Sequence, residues 1–249
     1  MGLFDKKYCD ICGEKIGFLG NRKLEDGNLC KDCAKKLSPL FRERRSSTVE
    51  EIRAQLKYRE ENERRLADFN PDFVYGDDEK IYLDYSGKRF VVTSSDDFRE
   101  GNPDIIEVSQ ITSWKTKIED NKEELFYTDN EGNEKSYDPP RYRNCYEFYV
   151  TFNIDSPWFD EIVVDLNNGN RPDDILSDDY NKYSKQMEDL VRKLNDCKGG
   201  NPYQNYLGII DGGVRPNAAA SSEDTGEWTC SCGSVNKRKY CEECGSPRV

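Results

Sequence analysis

Apolar residues recur along this chain with two periods, and the change between them marks where its elements begin and end. Thr48-Val49-Glu50-Glu51 forms a capping box, and Val49, Ile52 and Leu56 follow at helical spacing as a thin apolar stripe. Glu60 with Arg64 and Glu61 with Arg65 are expected as i,i+4 pairs, and the helix should end near Phe69, ahead of Asn70-Pro71. So polar a segment reads as a solvated connecting helix. From about residue 73 the period becomes two. Ile81, Leu83 and Tyr85 alternate with polar neighbours, Ser86-Gly87 turns the chain, and Phe90-Val91-Val92 returns, which predicts a hairpin. Short strands are expected at 105–108 and 111–118, and at 124–128 paired with 134–137, before Pro139-Pro140 interrupts. Tyr146, Phe148, Val150, Phe152 and Ile154 then alternate strictly, Asp155-Ser156-Pro157 turns, and Ile162, Val164 and Leu166 alternate back. The helical period resumes after Ser177-Asp178-Asp179, with Tyr180, Tyr183, Met187, Leu190, Val191 and Leu194 on one face and Gly199-Gly200 as the stop.

About seven short antiparallel strands closed by one amphipathic helix predict an α+β, mainly β fold. The expected form is a small antiparallel β-barrel capped by a C-terminal helix, an order similar to that of pleckstrin-homology (PH) domains. Composition limits how much else can be compact. Of 249 residues 35% are hydrophobic and 35% charged, with a mean hydropathy of −0.94, so one modest core with polar appendages is expected. The charge is also uneven. Residues 1–66 carry 16 basic and 12 acidic side chains, 67–200 carry 16 and 31, and 201–249 carry 5 and 6; the regional nets of +4, −15 and −1 make up the overall −12.

There is no histidine, which removes Ser-His and Cys-His catalysis and histidine metal sites together. No phosphate-cradling glycine loop, dinucleotide fingerprint or nucleophile elbow occurs, and acid pairs such as Asp77-Asp78, Asp96-Asp97 and Asp178-Asp179 read as solvated surface. The sequence therefore predicts no enzyme. No apolar run approaches the length of a membrane span, and residues 1–7 lack the apolar stretch of a secretory signal, so a soluble cytoplasmic protein is expected.

Candidate chemistry sits in the cysteines. Cys9-x2-Cys12 and Cys30-x2-Cys33, seventeen residues apart, have the spacing of a four-thiolate zinc site, with Gly13 suited to a tight knuckle. Cys230-x-Cys232 and Cys241-x2-Cys244 form a second set of four, with Gly233 and Gly245 after the second cysteine of each pair. Two zinc ions are expected, both structural, since four thiolates leave the metal no open position. Disulfides and redox pairs are the alternatives. A reducing compartment disfavours the first, and the absence of a thioredoxin-like frame the second. Cys145 and Cys197 read as small buried thiols.

Through Cys9-x2-Cys12-Gly13, Cys30-Lys31-Asp32-Cys33, the Thr48–Ile52 helix start and Phe69-Asn70-Pro71, the chain resembles a Gram-positive bacterial family over roughly residues 8–197. In that family an N-terminal four-cysteine domain of unknown function precedes a PH-like or GRAM-like domain. The resemblance implies that Cys9, Cys12, Cys30 and Cys33 hold the first zinc. The tail resembles bacterial zinc ribbons and, through Trp228-x-Cys230, Asn236 and Cys241-x2-Cys244, is partly similar to Ran-binding-protein zinc fingers. Only one residue separates its first cysteine pair, so the RNA or ubiquitin binding of that family does not carry over.

The expected organisation is a four-cysteine zinc domain at 1–40, a basic spacer and connecting helix at 41–70, a PH/GRAM-like domain at 71–198, a flexible linker at 199–226 and a four-cysteine zinc ribbon at 227–249. The expected function is a non-catalytic adaptor with a protein partner. The partner surface is read at Trp228, Lys237, Arg238, Lys239 and Tyr240, although Trp228 could equally cover the metal knuckle. The alternative is weak, salt-dependent nucleic-acid binding through the basic zinc ends. Anionic membrane binding is not expected of this protein: the first hairpin turn of the β domain supplies only Lys88 and Arg89, and that domain carries a net of −15.

Overall fold

The computed structural model describes residues 6–199 and the backbone of 228–229 and 235–236. Nearly all of the expected linker, and most of the expected ribbon, lie outside the described residues. β1 (Arg22–Lys23), β2 (Asn28–Leu29) and α1 (Lys31–Lys35) come first, and α2 (Val49–Ala67) follows. The capping box read from the sequence starts α2: the Glu51 amide donates to Thr48 Oγ1 at 3.2 Å and the Thr48 amide to Glu51 Oε2 at 2.7 Å.

Beyond α2 the fold is mainly β. β3 (Phe73–Tyr75), β4 (Lys80–Asp84), β5 (Arg89–Thr93) and β6 (Ile106–Glu107) form a four-stranded antiparallel sheet in that order. β7 (Ile111–Thr128), β8 (Glu134–Ile154) and β9 (Glu161–Asp165) form a three-stranded one, and α3 (Asp178–Cys197) closes the domain. Among the described residues, β10 (Trp228–Thr229) and β11 (Val235–Asn236) make a further two-stranded antiparallel pair.

The expected barrel does not close. Among the described residues no strand pairs across the two sheets, and the Asp77 amide, at 3.1 Å from the Leu166 carbonyl, joins the ends of β3 and β9. β3 stops because Gly76 takes φ +88 and gives its amide to Gln186 Oε1 of α3 at 2.8 Å. A Cβ there would stand 2.2 Å from the Glu79 carbonyl oxygen, so only glycine fits this turn.

Period-two patterning decides which side chains fill the core. Leu83, Phe90, Phe148, Phe152, Val164 and Leu190 are fully buried in one cluster that draws on both sheets and α3, and the Phe90 and Phe152 rings lie 5.1 Å apart. α3 buries Tyr183, Met187, Leu190 and Leu194, as its spacing predicts. Polar contacts fix its register: Tyr75 Oη donates to Asp189 Oδ2 at 2.8 Å, and Lys182 pairs with Asp77 at 2.8 Å. Tyr82 and Val91 face the other way, clustered with Ile105 and with Leu66 and Phe69 from the end of α2.

Two expectations change. The short strands foreseen at 111–118, 124–128, 134–137 and 146–154 are two long strands, β7 and β8, running as a ribbon past β9. The two prolines do not break it: the register jumps from Leu125↔Arg141 to Phe126↔Ser136, so residues 137–140 bulge out where no ladder amide is required.

The second change concerns α2, which is not a solvated connector: Arg59 and Asn62 are buried against the loop between β5 and β6. Arg59 Nη1 meets Asp104 Oδ1 at 2.9 Å, and its other donors reach the carbonyls of Lys36, Gly101 and Asn102. Ser38 Oγ donates to Asp104 Oδ2 at 2.6 Å, and the Ile105 amide donates to Asn62 Oδ1 at 2.8 Å. The expected Glu61–Arg65 pair gives way to Arg65–Glu107, while Arg64 pairs with Glu61. A charge buried without its partner is costly, so Asp104→Ala should lower unfolding free energy by about 3–5 kcal/mol in denaturant titration. A loss below about 1 kcal/mol, the range of exposed pairs, would show that the network does not hold α2.

Candidate metal centre

The first knuckle is a short hairpin. Tyr8 bridges Lys15, the Cys9 amide donates to the Glu14 carbonyl at 2.9 Å, and the Gly13 amide donates to the Cys9 carbonyl at 2.8 Å. Gly13 turns the chain at φ +76, which places Cys9 and Cys12 on one side. The second pair begins α1. Cys30 is its N-cap residue, and its Sγ accepts the Cys33 amide at 3.3 Å. The two halves are joined directly, with the Asp10 amide on the Asn28 carbonyl at 2.9 Å and the Asn28 amide on Asp10 Oδ2 at 2.6 Å.

Beneath the sulfurs lies a small core of Ile16, Leu24, Leu29, Leu37 and Ile52, so the packing of this end continues past residue 40 into α2. The only sequence signal for that support is that Leu24, Leu29 and Leu37 flank the second cysteine pair.

The four Sγ atoms of Cys9, Cys12, Cys30 and Cys33 all lie within 4.8 Å of one another. Cys12 and Cys30 are 3.7 Å apart, a non-bonded separation, and all four cysteines are free thiols. A tetrahedron with Zn–S bonds of about 2.3 Å has an edge of about 3.8 Å. The donor set therefore fits one zinc ion, held by these four residues with its coordination complete. When bound, the metal supplies a structural cross-link.

The protein also prepares the charge of the site. Burial raises Cys9, but the amides of Cys12, Cys30 and Ile11 outweigh it and bring this thiol down to about 7. Cys33 is pushed well up, first by burial and then by the neighbouring sulfurs of Cys30, Cys12 and Cys9. The Cys9 thiolate is thus available near neutrality, while the Cys33 thiolate forms as the metal displaces its proton.

The remaining site expectations divide. Cys145 and Cys197 are buried free thiols, both pushed up chiefly by burial. Cys230, Cys232, Cys241 and Cys244, with Lys237, Arg238, Lys239, Tyr240 and the Trp228 side chain, lie outside the described residues. What is described there is the pairing of Trp228 with Asn236 and Thr229 with Val235, two strands flanking Cys230 and Cys232.

Residues 7–55 match a family model described as "Domain of unknown function (DUF4428)". That span holds all four clustered cysteines and the first turns of α2, which together suggest an N-terminal zinc-binding domain. Neither a curated protein nor a solved structure matches the chain.

Because metal competes with protons for all four sulfurs, affinity should fall as pH drops from about 8 to about 6, with protons released on binding. Zinc titration in weakly buffered solution would measure both. Cys33→Ser should remove one zinc equivalent per chain by native mass spectrometry; an unchanged metal content would refute this ligand set.

Proposed function

We propose that this chain is a non-catalytic zinc protein, an adaptor that uses metal to stabilise a small binding end attached to an acidic β domain. The observation that carries this reading is the closed four-thiolate set, which leaves a bound metal no position for substrate or water. Four and three antiparallel strands followed by a helix support assignment of residues 71–198 to the PH-like or GRAM-like class. A second structural zinc at Cys230, Cys232, Cys241 and Cys244 is part of the same proposal, resting on their spacing, as are the cytoplasmic setting and a protein partner at Trp228 and Lys237–Tyr240. The acidic β domain suits a basic partner.

Nucleic-acid binding is the second reading. It is favoured by a cluster in which Arg44, its guanidinium lowered by burial and by Arg22 and Arg45, stands among like charges. Affinity capture from native lysate, with the full chain and a chain lacking 227–249 at low and high salt, separates the two. Salt-resistant proteins lost with the ribbon are the expected result. Nucleic acid recovered only at low salt would replace the adaptor reading with the second.

A further inference from the structure

The zinc end carries an exposed apolar tip that its own packing does not use. Phe18 and Leu19 are 90% and 84% exposed, the two most exposed of the large hydrophobic side chains among the described residues. They are not on a loose segment. The Ile16 amide donates to the Lys7 carbonyl at 2.8 Å, the Gly20 amide closes a turn on the Gly17 carbonyl at 3.0 Å, and Asn21 Nδ2 donates to Asn28 Oδ1 at 2.9 Å. Ile16 before the tip and Leu24 after it are buried in the zinc core. The turn is anchored at both ends, so its two apolar side chains are held out in water.

The surroundings of this tip are cationic. Residues 6–47 hold eleven lysines and arginines against six carboxylates. Among the described residues, none of those eleven cations has a carboxylate within 4.0 Å. Arg22 reaches the Leu19 carbonyl at 3.5 Å, Arg44 donates to the Lys23 carbonyl at 3.0 Å close to Arg22 and with the exposed Arg45 beside it, and Lys7 and Lys15 sit on the hairpin that leads into the turn. Elsewhere among the described residues most arginines have acidic partners, including Arg59, Arg65, Arg89, Arg143 and Arg171. The unpaired cations are thus concentrated at the end that also presents the bare apolar pair.

We propose that the Gly17–Gly20 turn is a membrane-contact site, with Phe18 and Leu19 entering the interface of an anionic bilayer while Arg22, Arg45, Lys7 and Lys15 engage lipid phosphates. An apolar wedge backed by cations matches the layering of such an interface, acyl region beneath a negative headgroup plane. A nucleic acid would use the cations and could stack on Phe18, but Leu19 offers a base no stacking face. The acidic β domain is repelled by the same surface, so contact is confined to the zinc end. This proposal uses none of the residues invoked for a protein partner, so the inference stands whether or not that adaptor reading holds.

The test is co-sedimentation of the zinc-loaded full chain with vesicles of phosphatidylcholine alone and of phosphatidylcholine mixed with phosphatidylglycerol. Binding should appear only on the mixed vesicles and weaken with salt. Phe18→Ser with Leu19→Ser should reduce partitioning by about tenfold or more, since each side chain loses its apolar transfer energy. Arg22→Gln with Arg45→Gln should also reduce it. Both serine substitutions fall on exposed positions, so zinc content and circular dichroism should remain as in the parent chain. Absence of binding to the mixed vesicles, or binding that survives the double serine substitution, would overturn the proposal. So would retention on single-stranded RNA, lost with Phe18→Ser, by a chain that ignores vesicles.

Discussion

Burying the Arg59 guanidinium with the Asp104 carboxylate is the constraint on which the arrangement of this molecule depends. Two charges taken from water are tolerated only when every donor and acceptor is satisfied, so each satisfying partner must occupy one position. Here the pair's partners are Lys36 and Ser38 behind the zinc end and Gly101 and Asn102 in the loop before β6, and Asn62 on α2 holds that loop through Pro103 and Ile105. Asn102 adopts φ +53 and accepts from Asn62 at 2.7 Å, which shapes that loop to the helix. Apolar packing extends the same seam, since Trp158 between β8 and β9 meets Phe41 edge-on at 5.9 Å and Tyr58 at 6.1 Å. α2 buries Ile52 in the zinc core and Leu66 in the cluster beneath the first sheet, so one helix serves both.

That seam joins regions of opposite charge. The zinc end has surplus cations, which in the metal-bound state also offset the −2 charge of a four-thiolate zinc centre, and the β domain has a large surplus of carboxylates. A molecule so polarised has two faces with different electrostatic preferences. The cationic face suits phosphates and the acidic face suits basic partners. A zinc ion held by Cys9, Cys12, Cys30 and Cys33 would act on this arrangement indirectly, by cross-linking the short segments on either side of the apolar turn.

What could be read from the sequence was whatever depended on local rules. The cysteine pairs, the Thr48 capping box, the hairpin of Ile81 to Val92, the alternating strands from Tyr146 to Leu166 and the Tyr183–Leu194 stripe each follow from spacing alone. The ribbon was legible only in fragments, because from Asp120 to Lys122 both faces are exposed and so no alternation is written there. The seam was hidden for the opposite reason: burial of Arg59 and Asn62 depends on a loop more than forty positions away, while their residue types signal solvent. The end of β3, where the two sheets fail to close into a barrel, likewise turns on the backbone at Gly76, which no side-chain pattern records.

Amide hydrogen exchange on the full chain, zinc-loaded and then stripped by a chelator, tests most directly whether the metal site and the sheet are joined through this seam. If they are, removing zinc accelerates exchange not only in residues 7–40 but along α2 and at the Ile105 amide, while Leu83 and Val150 in the core ladders stay protected. Free exchange confined to 7–40, with α2 and Ile105 unchanged, would show that the zinc end and the β domain are independent and that the buried pair transmits nothing between them.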